Sequence, residues 1–399
     1  MDIHYNFLSV ILFVTACLLL TGFAGCSNEP PVDVPAEIAA LENVAIFPAD
    51  SEPEYQINLF PAGIFGDTDE VMLGNWLSSV TDLQGRVFVA DLLNDVIYAY
   101  HQNGDYIGTV GRTGEGPGEY RQISQMRTCD TWLHLFDSSL SRITRYNLES
   151  FEAVGMITID VDQDQAGGHF RMPRSFFIAD DANYLMQFTI TFSQANPDAD
   201  DEARRIEGRL LNSITGEYLS DTIFSFRAPD MLVNRQDGGL TVLGVPYKRN
   251  SVISFQGNQM IHGWAEHFLF TIYDESGQYK RAVYYPFAPV RLSREQVLAE
   301  YADSPETIQN MVSRDTFPEH WPAFETFIVD DEDRIWVKMF TEDLQQSKYK
   351  VLDNSGELLA QFTWPRQSFI QQIKNGYLYA MEEDEDGLRH IAKYEIELI

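Results

Sequence analysis

Short runs of alternating apolar and polar residues, separated by turns rich in Gly, Asn and Asp, dominate the chain from residue 54 onward. The stretch VFVADLLNDVIYAY (87–100) shows the pattern, with an apolar run, a turn that contains Asp91 and a second alternating run. A period of two residues is typical of strands that bury one face, and Asn/Asp turns between such runs indicate hairpins. The pattern therefore predicts an all-β chain of antiparallel strands.

The same order of strands and turns recurs along the chain. At an offset of 46 residues, the first stretch is matched by LHLFDSSLSRITRY (133–146), with three shared residues: Asp91/Asp137, Ile97/Ile143 and Tyr100/Tyr146. Weaker copies continue to the C-terminus. A period in the forties with several strands per unit is typical of propeller blades. We therefore predict a six-bladed β-propeller of four-stranded antiparallel blades over residues 54–399.

The last unit ends after three strands, whereas YQINLF (55–60) is a strand candidate without a partner. We expect this N-terminal strand to complete the last blade, because that pairing joins the chain ends and removes an exposed edge.

Residues 288–321 depart from the blade pattern and predict two short helices. Ser293, with Gln296 as its capping-box partner, is the expected N-cap of the first helix. Ser304, followed by a proline at the first helical position, is the expected N-cap of the second.

The first residues predict export. Phe7 to Leu20 is almost unbroken apolar sequence, and TGFAGC follows it. We interpret 1–25 as a signal peptide, Cys26 as the acylated residue of a lipoprotein, and 26–53 as tether and linker. An uncleaved membrane anchor is the alternative, since 7–25 is just long enough to span a bilayer. Either interpretation predicts a bacterial envelope protein, bound to a membrane and facing the periplasm or the cell exterior.

Charge and cysteine content narrow the partners. The chain has 28 basic and 60 acidic residues, a net charge of −32. Such a charge repels nucleic acid, so we expect no nucleic-acid partner. Only Cys129 remains after the signal, which excludes an intramolecular disulfide, and its place beside a strand predicts a buried, inert thiol. We expect a monomer.

The segment from Gly85 to Tyr120 resembles an NHL repeat, down to its closing Gly-Pro-Gly-acidic-aromatic sequence. Together with GVPYKRNSVISF and WPAFETFIVDDEDRIWVK, it makes the chain similar to the exported six-bladed β-propeller lipoproteins of bacteria. The resemblance implies the propeller fold. Related propellers include binding scaffolds, lactonases and amidating lyases, so the resemblance does not select a function.

The glycine-rich stretch VGRTGEGPGEY (110–120) could be a phosphate-binding loop or a turn. It lacks a Gly-Lys-Ser/Thr ending, precedes a strand, and carries Glu115 and Glu119 where phosphate charge would lie. A type II turn centred on Pro117 and Gly118 is the prediction, because that turn requires positive φ after the proline.

No stretch carries a complete catalytic or metal motif. His-Glu-x-x-His and Gly-x-Ser-x-Gly are absent, and the aspartates of DVDQDQAGG (160–168) lack the glycine and glutamate of a calcium loop. We therefore predict no metal and no cofactor. A centre assembled from separate blades would leave no mark in the sequence.

The loops that lead into the inner strands of a propeller converge at one mouth of its channel. Several here carry a cation or an aromatic ring, and these are the predicted ligand-binding residues: Arg121, Arg174, Lys248, Arg249, Trp321 and Phe324. They would suit an anionic or sugar-like ligand. The alternative is that the cations pair with the abundant carboxylates.

Three functional hypotheses follow. The first is a non-catalytic scaffold that binds a ligand or an envelope protein. The second is a hydrolase or lyase with a metal or polar cluster at the channel mouth, so an enzyme is not excluded. The third is a structural protein whose 288–321 helices dock a partner.

Overall fold

A computed structural model describes residues 34–161, 170–191, 204–236 and 239–399. The signal peptide, Cys26 and most of the acidic stretch 160–168 lie outside these ranges. In the described part, three N-terminal elements precede the first blade: α1 (Ala36–Ala39), β1 (Val44–Ile46) and β2 (Ile57–Phe65).

The first two blades each consist of four consecutive antiparallel strands. Blade 1 contains β3 (Leu77–Thr81), β4 (Val87–Asp91), β5 (Val96–Tyr100) and β6 (Tyr106–Thr109). The connection to the next blade contains a short parallel pair, β7 (Arg112–Thr113) and β8 (Glu119–Tyr120). Blade 2 contains β9 (Ile123–Cys129), β10 (Trp132–Asp137), β11 (Arg142–Asn147) and β12 (Ala153–Thr158).

Blades 3 and 4 repeat the four-stranded order and are separated by a hairpin. Blade 3 contains β13 (Phe170–Asp180), β14 (Asn183–Thr191), β15 (Arg205–Asn212) and β16 (Phe224–Arg227). The hairpin is formed by β17 (Leu232–Gln236) and β18 (Gly239–Leu243). Blade 4 contains β19 (Ser251–Gln256), β20 (Gln259–Trp264), β21 (Phe268–Asp274) and β22 (Tyr279–Tyr285).

Two helices, α2 (Arg294–Glu300) and α3 (Glu306–Arg314), precede the last two blades. Blade 5 contains β23 (Thr326–Val329), β24 (Ile335–Phe340), β25 (Gln346–Leu352) and β26 (Leu358–Pro365). Blade 6 takes three strands from the C-terminus: β27 (Phe369–Lys374), β28 (Tyr377–Glu383) and β29 (Arg389–Leu398). The predicted six-bladed propeller is confirmed.

The N-terminal strand closes the ring. β2 pairs antiparallel with β29, from Ile57 opposite Leu398 to Phe65 opposite Ile391. The closure expected from YQINLF is thus confirmed, although the strand begins two residues later than predicted and continues to Phe65. The pairing satisfies the outer edge of β29 and holds the two ends of the propeller together.

The segment that the sequence placed in a linker differs from expectation. Residues from Ala36 onward belong to the same compact unit as the propeller. β1 extends blade 4 by pairing parallel with β22, and the Tyr279 hydroxyl donates to the Glu42 carbonyl at 2.6 Å. A three-residue strand gives a weak sequence signal, because its pattern is too short to show a period.

The two helices of 288–321 are present. Ser293 caps α2, its Oγ accepting from the Gln296 amide as predicted. The prediction for α3 was wrong by one residue, because Pro305 keeps an extended ψ of 144° and is itself the N-cap. One face of each helix packs with the β17–β18 hairpin around Val297, Val312 and Leu232.

Two buried aspartates, Asp91 and Asp137, account for the aspartate that recurs at an offset of 46 residues. Asp91 accepts hydrogen bonds from its own turn and from the Gly74 amide at 2.8 Å, and Asp137 likewise accepts from the Arg121 amide at 2.7 Å. Each therefore holds the loop that leads into the inner strand of its own blade. The repeated aspartate sets the geometry of these loops without requiring a ligand.

The glycine-rich stretch forms the predicted turn. The Glu119 amide donates to the Gly116 carbonyl at 3.1 Å, and Gly118 has a φ of +76°, as a type II turn requires. The Glu119 carboxylate accepts from the Gly116 amide at 2.8 Å and from Arg112. These hydrogen bonds lower the pKa of the Glu119 carboxyl. The chain's own carboxylate thus occupies the position that a phosphate would need.

Between blades 2 and 3, a buried histidine makes stability depend on pH. His134 contacts the Tyr184 hydroxyl at 2.8 Å, and burial lowers its pKa from 6.5 to about 4. His134 therefore binds a proton more tightly in the unfolded chain than in the folded protein. Its contribution to the free energy of unfolding is fully present above about pH 6.5 and decreases as the pH falls towards 4.

We expect acidification from about pH 7 to about pH 5 to lose about 2 kcal/mol of unfolding free energy through His134. Urea unfolding at the two pH values measures the loss. The variant His134→Gln should show a smaller loss over the same interval. An equal loss in both proteins would assign the pH dependence to other groups.

Candidate functional site

The six inner strands, β3, β9, β13, β19, β23 and β27, surround an axial cavity of about 890 Å³. Its lining comes from these strands and the turns that follow them, within 77–83, 125–130, 175–181, 253–258, 327–331 and 371–374, and from Gln187 of the second strand of blade 3. We call the side of the propeller where inner strands begin the start face and the opposite side the end face. The turns that follow the inner strands, on the end face, are part of the cavity lining.

Side chains of blade 6 fasten the edge of blade 1 along the cavity wall. Gln371 accepts from the Ser79 amide and donates to the Leu77 carbonyl, both at 2.7 Å. Gln372 accepts from the Thr81 amide at 2.8 Å. The backbone groups of an inner strand edge are thereby paired without a further strand.

Blade 2 fastens blade 3 in the same manner. Gln125 accepts from the Phe176 amide at 2.8 Å, and Arg127 donates to the Phe176 carbonyl at 2.6 Å. Burial lowers the pKa of Arg127 to about 10, and its guanidinium lies 4.3 Å from the Phe177 ring centre. These bonds across blade boundaries fix the shape of the wall before any ligand arrives.

Polar residues occupy the ends of the inner strands. Five of the six positions are charged, and the set is Asp82, Asp130, Asp181, Asn258, Asp331 and Lys374. Two of the carboxylates have partners inside the protein. Asp82 pairs with Arg86 at 2.7 Å, and Asp331 accepts from the Asn375 amide at 2.8 Å.

Lys374 is the cation of this end of the cavity. Its Nζ donates to the Thr81 carbonyl at 2.9 Å. Burial lowers the pKa of Lys374, and the charges of Asp331 and Asp82 oppose that shift. The ammonium group thus stabilises the junction of blades 6 and 1 and compensates for only part of the negative charge.

Cys129, Asp130 and Asp181 converge from blades 2 and 3. One Sγ and one oxygen of each carboxylate lie within 4.8 Å of one another. Burial and the two carboxylates raise the pKa of the Cys129 thiol. Cys129 is partly exposed at the cavity, so the expectation of a buried thiol was wrong. Both carboxylates are exposed, and together with the thiol they offer three ligand atoms to a cation.

Three of the predicted cations form ion pairs, as the alternative interpretation held. Arg121 pairs with Glu115 at 2.7 Å, whereas Lys248 and Arg249 pair at 2.9 Å with carboxylates distant in sequence, Asp315 and Glu266. Their charge is thus largely compensated by the protein.

Arg174 differs from the other predicted cations. It lies on β13 at a bulge beside Ser175, with an exposed side chain, and the surrounding protein lowers the pKa of its guanidinium. Among the described residues no carboxylate forms an ion pair with Arg174.

The two predicted aromatics belong to the core. Trp321 is 2% exposed and stacks on Phe340 at 4.5 Å, and Phe324 is fully buried against Phe270 at 5.4 Å. Neither presents a ring surface at the channel mouth, because both complete the packing between neighbouring elements. Of the six predicted residues, two are therefore core residues and three take part in ion pairs.

The histidines that sequence spacing left open, His262 and His267, do not meet. His262 stacks on Phe226 and contacts Ser251 Oγ at 3.1 Å, whereas His267 pairs with Glu37. Among the described residues, the only metal-ligand group of three is Cys129, Asp130 and Asp181. It contains two carboxylates and no histidine. Its members are 52 residues apart at the extremes, so sequence spacing gave no signal.

The comparisons with known proteins agree with the fold. A family described as 6-bladed beta-propeller, DUF5128, matches residues 66–203. A candidate exported protein of Bacteroides fragilis is 12% identical, with 89% of this chain and 99% of that chain covered, at a TM-score of 0.51. A DUF4221 member from Bacteroides vulgatus is 10% identical, with 87% and 100% covered, at a TM-score of 0.50.

A gluconolactonase from Xanthomonas campestris is 12% identical, with 90% of this chain and 99% of that chain covered, at a TM-score of 0.39. No protein of curated function matches the chain. The chain is thus a six-bladed β-propeller. These identities establish the fold alone.

Within the described ranges, no helix has the length and apolar character needed to cross a membrane.

Proposed function

We propose that this protein is a lipid-anchored propeller of the bacterial envelope that binds a ligand in its axial cavity without chemical conversion. The observation that carries the proposal is a cavity of about 890 Å³ bounded by all six inner strands. This volume falls within the usual range for small-molecule sites. The wall residues Gln371, Gln125 and Arg127 hold neighbouring blades together, so the cavity is formed in advance.

The ligand is proposed to be polar and sugar-like. The lining offers hydroxyl and amide groups such as Ser78, Ser254, Gln256 and Asn258. An anionic ligand is less well supported than the sequence suggested, because Arg121, Lys248 and Arg249 have carboxylate partners. Arg174, which has no carboxylate partner among the described residues, is the remaining support for an anionic group.

The membrane anchor is part of the proposal. It rests on the apolar stretch before Cys26 and on the similarity to a candidate exported protein. Feeding cells an alkyne fatty acid should label the wild-type protein and leave Cys26→Ser unlabelled. Equal labelling of both proteins would contradict acylation at Cys26.

A hydrolase or lyase is the second candidate. The convergence of Cys129, Asp130 and Asp181 favours it, because a metal held there could activate water. The group offers two carboxylates and one thiol whose pKa is raised, and it contains no histidine, so binding without conversion remains the first candidate. Product formation from a cavity ligand would establish this alternative.

Filling the cavity tests the binding function. Ser254 lies on β19 and lines the cavity, whereas Thr363 is exposed on the outer strand β26. Ser254→Trp should abolish thermal-shift responses to a panel of neutral sugars, amino sugars and small carboxylates. Thr363→Trp should retain the responses of the wild type, because it adds the same bulk outside the cavity. Equal responses in both variants would place binding elsewhere.

A further inference from the structure

We infer that the axial cavity selects an organic cation that also carries oxygen acceptors, of which an amino sugar is the simplest class. This inference rests on the proposed binding function and adds the charge of the ligand. Its ammonium group would lie between Asp130 and Asp181, and an oxygen of its body would accept from Gln187. Asp130 follows the inner strand of blade 2, whereas Asp181 and Gln187 belong to blade 3; the two carboxylates lie at the end face and Gln187 lies deeper in the cavity.

The proposed cation site consists of two carboxylates that have no partner among the described residues. The carboxylates of Asp130 and Asp181 receive no hydrogen bond and no ion pair from any residue in the described ranges. Two like charges held within 4.8 Å repel one another, and a positive group between them relieves that repulsion. Asp82 and Asp331, in contrast, already have partners.

An independent observation comes from Gln187 on β14. Its side chain lines the cavity and the residue is only 5% exposed. Oε1 accepts from Ser175 Oγ at 2.5 Å, but Nε2 has no partner in the described structure. A buried amide donor without an acceptor is costly, and a ligand oxygen would remove that cost.

The two features fit one elongated molecule. Ser175, the partner of Gln187, and Asp181 lie six residues apart along blade 3, which corresponds to roughly 20 Å of extended chain. A bare metal ion could occupy the carboxylates but could not reach Gln187. The unpaired amide therefore favours an organic cation with hydroxyl or ether oxygens over a metal ion.

The test compares two probes with the same sugar backbone, one with free amines and one in which every amine is acetylated. The glucosamine trimer carries protonated amines at mildly acidic pH, and the N-acetylglucosamine trimer is neutral. Calorimetry should show at least about tenfold tighter binding of the glucosamine trimer. The double variant Asp130→Asn/Asp181→Asn should lose that preference, whereas Asp221→Asn, an exposed acid of the same blade, should keep it.

Two further measurements test the role of the Gln187 amide and the binding of a metal ion. Gln187→Leu should weaken the glucosamine trimer several-fold while retaining its preference over the neutral trimer. Zinc or calcium chloride should not bind at micromolar concentration. Metal binding that depends on Asp130 and Asp181 and that the glucosamine trimer does not displace would overturn the inference in favour of a metal site.

The outcomes also separate this inference from the proposed function. Equal binding of both trimers, blocked by Ser254→Trp, would overturn the cation preference and leave the cavity as a binding site. If the wild type responded to none of these ligands, both the cation preference and the proposed binding function would be rejected.

Discussion

Replacing Phe65 by alanine is expected to lower the free energy of unfolding by about 3–5 kcal/mol. Phe65 ends the closing strand β2 and is fully buried. Its ring lies 6.0 Å from the Tyr100 ring of blade 1 and 6.4 Å from the Tyr379 ring of blade 6. The substitution would leave a cavity where the first and last blades meet, which is the one boundary that the continuous chain does not cross.

Phe60 provides a matched control. It lies on the same strand but is 50% exposed, so Phe60→Ala should cost less than about 1 kcal/mol. Chemical denaturation followed by tryptophan fluorescence measures both variants. If the two substitutions had equal effects, the closing strand would depend on its backbone pairing and not on the Phe65 contact.

The second large effect is expected at Asp330. This buried carboxylate follows the inner strand of blade 5 and pairs with Arg334 at 2.6 Å. It also accepts from the backbone amides of Glu332 and Arg334 and from the Trp336 ring nitrogen at 2.8 Å. Asp330→Ala would leave a mostly buried guanidinium and several hydrogen-bond donors without their acceptor. We therefore expect the free energy of unfolding to fall by about 3–5 kcal/mol.

Glu332 contacts the same guanidinium at 2.9 Å but is mostly exposed. Glu332→Ala should therefore change the free energy of unfolding by no more than about 1 kcal/mol. The same denaturation experiment compares the two variants. A similar loss in both would mean that solvent, and not burial, governs the energy of the Arg334 pairs.

The hydrogen bonds of Asp330 recur in a second blade. In blade 1, Asp82 receives the amides of Gln84 and Arg86 and pairs with the Arg86 side chain in the same way. The turn after the inner strand thus uses an Asp-x-x-x-Arg pattern in both blades. The pattern is structural, and its presence beside the cavity does not mark a ligand site.

The sequence alone predicted the elements that short-range physics controls. The period of two gave the strands, the repeated aspartates gave the blade register, and Pro117–Gly118 gave the type II turn. The closing strand also followed, because an incomplete last blade leaves one unpaired edge. Each of these depends on residues close in sequence or on a single missing partner.

Tertiary structure decided which charges remain free. Lys248 and Asp315 are 67 residues apart, and no sequence pattern pairs them. Trp321 and Phe324 follow a loop and precede a strand, yet packing against Phe340 and Phe270 buries both. Ion pairs and core packing thus engage five of the six residues predicted for the channel mouth.

The axial cavity likewise arises only from the closed ring. Asp130 and Asp181 each look like ordinary turn residues after a strand, and their proximity exists because blades 2 and 3 are neighbours. Gln187 carries no sequence signal either, since its unpaired amide follows from the surrounding burial. Local periodicity determines the strands and their order, whereas the contacts between blades determine which polar groups are left for a ligand.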